Sequence, residues 1–399
     1  MVNFTILAGG FAGFIATYVF DSDAGKLSLT KQSTTGTNPS WIALHPQNRS
    51  ILYAVNELNP GGFLQSFTVD STGGVQNVDN VTTGGNGPTF TVMLSTGEVT
   101  AMNFGSPNAS FVATVPGDPL KFQTDSPIIA FPVPEGGPSN PHMSLEFKDE
   151  ILVPDLGADK IWRIGRDGAP GKFKVQGQIN IDKGAGPRHI AVLDNILFTI
   201  HEKTSALTAQ VIPDGPNGTT NPLLANISII PADALKGSQF AAAEIFISPA
   251  TAAFPNPLIY VSNRNISPNV TDPRGDTIAI FEFVNGTDSA APDPAPEACP
   301  PPNRRRMLRQ SRHMREANAR ADEAAAAPQL RLLAQVPTGL QQIRSMALGR
   351  ADGGGDAFVI AGANTVGGVA VFKRVDGGRN LTLVARNNEL ENRTSFVFL

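Results

Sequence analysis

The feature that most restricts what this chain can fold into is a phrase of about fifty residues that recurs along it. Each copy opens on a proline turn. An apolar strand follows, then a tight turn, then a second apolar strand that ends on a polar residue. Copies run at 38–57, 87–103, 140–155, 186–202 and 242–264, with a more divergent one at 343–364. The anchors Pro39, Pro88, Pro141 and Pro187 lie 49, 53 and 46 residues apart. Third strands are expected at 62–70, 159–167, 276–284 and 367–375, and fourth strands at 172–181 and 380–388. Alternating, β-branched apolar residues mark these segments as strands. Four strands in about 45–55 residues make one propeller blade.

Six copies leave two remnants. Residues 4–32 carry three strands, and 394–399 carry one more. Together they predict a seventh blade closed by strands from both ends of the sequence. The expectation is an all-β, seven-bladed β-propeller, a single domain over 1–399. Closure removes the free sheet edges that invite aggregation. Abundant turn formers (Gly 39, Pro 32) and only 17% charged residues agree with many short strands.

Two segments need separate treatment. The first twenty residues are apolar enough to imitate a signal peptide, yet they lack a basic start and a small-residue cleavage site. They are read as strand, Gly-Gly turn, strand. Residues 286–328 are rich in Pro and then in Arg, including Arg304, Arg305 and Arg306. They offer almost no apolar surface to offset ordering entropy, so a disordered insertion is expected between the sixth and last blades. Cys299, the only cysteine, lies in it.

A net charge of −4 supplies no basic field for nucleic acid. No apolar run is long enough to span a membrane. The single cysteine taken alone fits a reducing, cytoplasmic setting. Eleven Asn-X-Ser/Thr triplets, from Asn3 to Asn392, point the other way. They predict an extracellular chain with N-glycans on surface loops and its leader already removed.

Polar residues gather at strand ends. Second strands end in Asn56-Glu57, Asn103, Asp155, His201-Glu202, Asn263-Arg264 and Asn364. Near the starts of first strands lie His142, Arg188-His189, Glu244 and Arg344. Asn and Asp there serve as strand caps. The long charged side chains are better candidates for chemistry, because burying them unpaired is costly. Such a cluster suits hydrolysis, which needs a base to activate water and a cation to hold the oxyanion. His142 or Glu202 can be the base, and Arg188 and Arg264 the cations. His189, His201, Glu244, Arg344 and Glu57 are expected to bind substrate. No GxSxG elbow, HExxH, CxxC, EF-hand loop or P-loop occurs, so no serine nucleophile, metal or other cofactor is expected. A scattered calcium set of Glu57, Asn103, Asp155 and Asn263 stays open.

The phrases NPSWIALHP, LYAVNE, NPHMS, ILVPDLGADKIWRI, GPRHIAV, AAEIFISP and LIYVSNR resemble those of the lactonase family of seven-bladed propellers. That family includes 6-phosphogluconolactonases, fungal carboxymuconate lactonising enzymes and secreted fungal aldonolactonases. The resemblance covers all but the insertion. It implies a metal-free site around His142, Arg188, Glu202 and Arg264, because these fall in the matching phrases. Phe90, His201 and the IRSMALG phrase at 343–349 depart from the family pattern. The expected substrate is a small acidic or sugar-acid lactone, such as gluconolactone or its 6-phosphate. The alternatives are 3-carboxy-cis,cis-muconate cyclisation and a non-catalytic propeller that binds a partner.

Overall fold

The alternating apolar runs form strands where the repeat places them, and the strands assemble into seven antiparallel sheets. The structure is a computed structural model that describes residues 2–285 and 327–399. Blade 1 holds Arg393–Phe398, Asn3–Gly10, Phe14–Asp21 and Lys26–Thr34, in that order from the channel outward. Its innermost strand comes from the far end of the sequence, with Leu7 paired to Val397 and Ala8 to Phe396. The apolar N-terminal stretch is therefore two strands of a blade, as read above.

Blades 2 to 7 follow in chain order, each running from the channel outward. Their inner strands are Pro39–His45, Pro88–Phe90, Leu145–Phe147, Pro187–Leu193, Phe240–Ile247 and Ile343–Leu348. Blade 3 departs slightly from the pattern, since both Asp118–Phe122 and Ile128–Ala130 pair with Asn108–Val115. Among the described residues the only helical turns are two short 3₁₀ segments, Asp352–Ala357 and Asp376–Gly378. No helix there is long and apolar enough to cross a membrane.

The core is a ring of layers between successive sheets. Tyr18, Phe20, Phe358 and Phe396 fill the seam between blades 7 and 1. Phe111, Trp162 and Phe173 fill that between blades 3 and 4, and Phe198 and Phe281 that between blades 5 and 6. Each fully buried aromatic contributes about 1.5–3 kcal/mol over its exposed state. This packing carries most of the adhesion between blades, because neighbouring sheets share no strand ladder.

The polar residues at second-strand ends add specific ties across the seams. Asn56, Asn103 and Asn263 donate their side-chain amides to the carbonyls of Thr37, Thr83 and Ile229, at 2.8, 2.9 and 3.2 Å. Each carbonyl lies just beyond the outer strand of the preceding blade. Asp155 accepts from the Asn140 and Ala158 backbone N–H groups and from Trp162 Nε1. Of the open calcium set, Asp155 is taken up by these bonds, whereas the Oδ1 atoms of Asn103 and Asn263 are buried without a protein partner. No group of His, Cys, Asp or Glu among the described residues is spaced to hold a metal ion.

One boundary differs from expectation. The insertion falls inside blade 6, between its third strand Thr277–Val284 and its fourth Gln329–Pro337, rather than between blades. The fourth strand resumes the blade after the long excursion, a pairing that periodicity could not register. Residues 286–326 of the insertion, with the arginine run and Cys299, lie outside the described residues.

Candidate active site

The starts of first strands and the ends of second strands form one cluster. Antiparallel pairing sets Pro39 opposite Asn56, Pro88 opposite Asn103, Pro187 opposite His201 and Ala241 opposite Arg264. All therefore meet at one end of the ring. The inner strands are also bulged there, with register shifts at Pro39/Trp41, Pro88/Phe90, Pro187/His189, Ala242/Ile245 and Ile343/Met346. A bulge places two residues opposite one and re-aims their side chains. Arg188, Glu244 and Arg344 all sit in these bulges.

Glu202 is the hub of the charged groups. Its Oε2 lies 2.8 Å from Arg188 Nε and 2.9 Å from Arg264 Nη2. The Arg188 contact is an ion pair without an aligned hydrogen bond, since that N–H finds no acceptor along its axis. Backbone carbonyls of blade 6 hold both guanidinium groups: Arg188 Nη1 donates to Ala243, and Arg264 donates to Ala241 and Ala242. Arg188 Nη2 and Arg264 Nη1 have no protein partner and are not sealed from solvent. Burial, then Arg264, push the Arg188 pKa down to about 9, with Glu202 acting the other way, so the group stays charged at neutral pH. Burial alone would raise Glu202. Arg188, Arg264 and Arg344 outweigh it and hold the carboxyl below its ordinary range.

Beside this cluster two imidazoles meet. His142 Nδ1 lies 3.1 Å from His189 Nε2, and His189 Nδ1 lies 2.8 Å from Glu244 Oε1. Burial and the arginines keep His142 well below its ordinary pKa, so it is neutral at pH 7. Burial lowers His189 as well, and Glu244 partly offsets that. Aromatic edges frame the rings: Trp41 and Phe90 stand 5.3 and 5.8 Å from His189, and Phe104 stands 5.5 Å from His142. Arg344 lies over Phe11 at 5.3 Å and makes no ion pair among the described residues.

The structure thus brings His142, Arg188, Glu202, Arg264 and Arg344 to one mouth, with three expected contacts to correct. His189 and Glu244 were expected to bind substrate; both ring nitrogens of His189 are engaged by His142 and Glu244, and the remaining Glu244 Oε2 is sealed from solvent. His201 belongs elsewhere. Successive strand residues face opposite ways, so with Glu202 turned to the mouth His201 turns away. Its Nε2 pairs with Thr208 Oγ1 at 2.8 Å, and it lines a cavity of about 360 Å³ at the seam of blades 4 and 5. Glu57 stands at the same end of the ring on blade 2 but makes no ion pair with the arginines. The aromatic wall of Phe11, Trp41 and Phe104 was missed, because an isolated aromatic in a strand or turn carries no mark that separates a site wall from core.

A curated relative, named probable 6-phosphogluconolactonase, from Arthroderma benhamiae is 26% identical over 303 residues, covering 70% of this chain and 73% of its own. The periplasmic gluconolactonase PpgL of Pseudomonas aeruginosa superposes with a TM-score of 0.74 at 16% identity, covering 100% of this chain and 99% of its own. A protein from Lactobacillus plantarum gives 0.74 at 19% identity, with 100% and 99% coverage. These two likenesses establish the fold. The family model described as lactonase, 7-bladed beta-propeller, matches residues 5–290. The chain belongs to the lactonase family of seven-bladed β-propellers, which are lactone-hydrolysing enzymes.

Proposed function

We propose that this protein hydrolyses a sugar-acid lactone, with His142 as general base and Arg188 and Arg264 as oxyanion donors. The observation that carries the reading is the juxtaposition of an unprotonated, solvent-reaching imidazole with two guanidinium groups held on one carboxylate. His142 Nε2 takes a proton from water, and the hydroxide adds to the lactone carbonyl carbon. The carbonyl oxygen becomes an oxyanion facing the free N–H groups of Arg188 and Arg264. Collapse breaks the ring C–O bond, and the departing alkoxide recovers the proton from His142. The net change adds one water and yields a hydroxy acid. A preorganised donor aimed at the developing charge contributes a rate factor of roughly 10²–10³.

Arg344, half-buried and without a carboxylate partner, suits an anionic substituent at the far end of the substrate. The ion pairs of Glu202 already engage the other two arginines, which supports a lactone over a tricarboxylic muconate. The test is a pH-stat assay of purified protein on gluconolactone, its 6-phosphate and carboxymuconate. Base uptake with either lactone supports the reading, and turnover of carboxymuconate alone overturns it.

An extracellular, N-glycosylated protein is part of the same proposal. Asn108 and Asn265 are half-buried, and the other nine sequon asparagines are exposed.

A further inference from the structure

We infer that Glu244 and His189 are positioning residues that fix the tautomer of His142 and take up its charge during turnover. This rests on the reading of His142 as the base.

The argument is one of donors and acceptors. Glu244 Oε1 receives the Ile245 backbone N–H at 3.0 Å and faces His189 Nδ1 at 2.8 Å. A carboxylate only accepts, so His189 Nδ1 carries the proton. The neutral ring then has a bare Nε2. That atom faces His142 Nδ1 at 3.1 Å and must accept from it. His142 Nδ1 is therefore the protonated nitrogen, and its Nε2 holds the lone pair. Nε2 is the nitrogen without a protein partner and with access to solvent. One carboxylate two residues removed thus decides which nitrogen of the base is basic. The backbone also holds Glu244 in place, since its own N–H donates to Ser262 Oγ at 3.0 Å.

The same chain has a use once the proton arrives. A protonated His142 faces Arg188, Arg264 and Arg344, all repulsive. His189 faces Glu244 and Glu202, with Arg188 opposing. The aromatic side chains against the two rings, Trp41, Phe90 and Phe104, carry no charge. When Nε2 of His142 takes a proton from water, the Nδ1 proton passes to His189 Nε2. The positive charge then sits on His189 against Glu244, and His142 is neutral with its proton on Nε2. Return of the His189 proton to His142 Nδ1 lets Nε2 release its own to the departing alkoxide. No proton is gained or lost, and Glu244 stays ionised throughout.

Glu244→Gln separates this role from a merely structural one. The Gln oxygen still accepts both N–H groups, so the tautomers persist while the charge is lost. We expect kcat to fall about 10- to 100-fold with KM within about threefold, a share of the usual general-base factor. Removing the anion lowers the proton affinity of the imidazole pair, so the acid limb of kcat/KM against pH moves to lower pH. Histidine-selective ¹⁵N spectra of the unmutated protein at pH 7 give a readout independent of activity. Two imidazoles protonated at Nδ1 are expected; Nε2 protonation of His142 overturns the inference. Wild-type kcat and an unmoved acid limb in Glu244→Gln also overturn it. His142→Gln keeps the two failures apart: if it retains activity, the base reading itself is lost; if it is inactive while Glu244→Gln behaves as wild type, only the relay is lost.

Discussion

Replacing Glu202 by Gln removes the one anion between two nearly buried guanidinium groups. Contacts of 2.8 and 2.9 Å are lost as ion pairs, and Arg188 and Arg264 are left facing each other and Arg344. Breaking a buried pair by removing one partner costs about 3–5 kcal/mol. The Glu202 side chain is 27% exposed, which puts the figure at the low end, about 3 kcal/mol. At about 2.1 cal/mol/K per residue, a chain of this length unfolds with an entropy near 0.8 kcal/mol/K, so Tm should drop by about 4 °C. The pH dependence sharpens the test. The folded-state pKa of Glu202 is depressed, so its contribution is complete above the unfolded value, about 4.3, and is lost as pH falls through the folded value. Melting curves of both proteins from pH 3 to 8 should show a constant gap above about pH 5 that closes in acid. No gap at pH 7, or one that persists undiminished in acid, refutes the account of Glu202 as an ionised bridge.

Other perturbations read different parts of the molecule. Arg188→Ala should lower kcat on the true substrate by roughly 10²-fold or more, and unchanged turnover would remove Arg188 from the oxyanion role. His201→Ala should leave kcat/KM within about twofold, because its ring faces the seam of blades 4 and 5; a larger loss would return it to the site. Phe396→Ala in the closing strand should cost about 3–5 kcal/mol, a fall in Tm of about 4–6 °C by scanning calorimetry. A loss under 1 °C would mean the seam of blades 7 and 1 contributes little. Protein from a secreting eukaryotic host should run lower on a gel after endoglycosidase treatment, and an unchanged band would sink the glycosylation proposal.

The architecture was legible because blades repeat. Pro39, Pro88, Pro141 and Pro187 all open turns at the channel end, and the two remnants had no other way to complete a sheet. The site was legible only in part. Arg188 and Arg264, expected in one site, meet there because antiparallel pairing puts strand starts beside strand ends. The strict alternation of a strand was enough to foresee that His201 and Glu202 could not share a face. It gave no way to foresee that adjacent Arg188 and His189 could both serve the site, since the bulge after Pro187 leaves no mark in composition. Nor does sequence tell a histidine that meets substrate from one sealed behind it; that distinction lies in the 3.1 Å hydrogen bond between His142 Nδ1 and His189 Nε2.

The mouth has two unlike halves. Blades 4 to 7 supply every ionisable group of the cluster, from His142 to Arg344, whereas blades 1 to 3 present Phe11, Trp41, Phe90 and Phe104. On the proposed reading, proton handling, oxyanion binding and the anion-binding Arg344 share one arc, and the apolar wall of the mouth is the other. Substitutions on the aromatic arc that spare the edges against His142 and His189, Phe11 first among them, can re-tailor which molecule is admitted while the proton-handling arc keeps its settings. A scaffold partitioned in this way can diversify its diet without reinventing its chemistry.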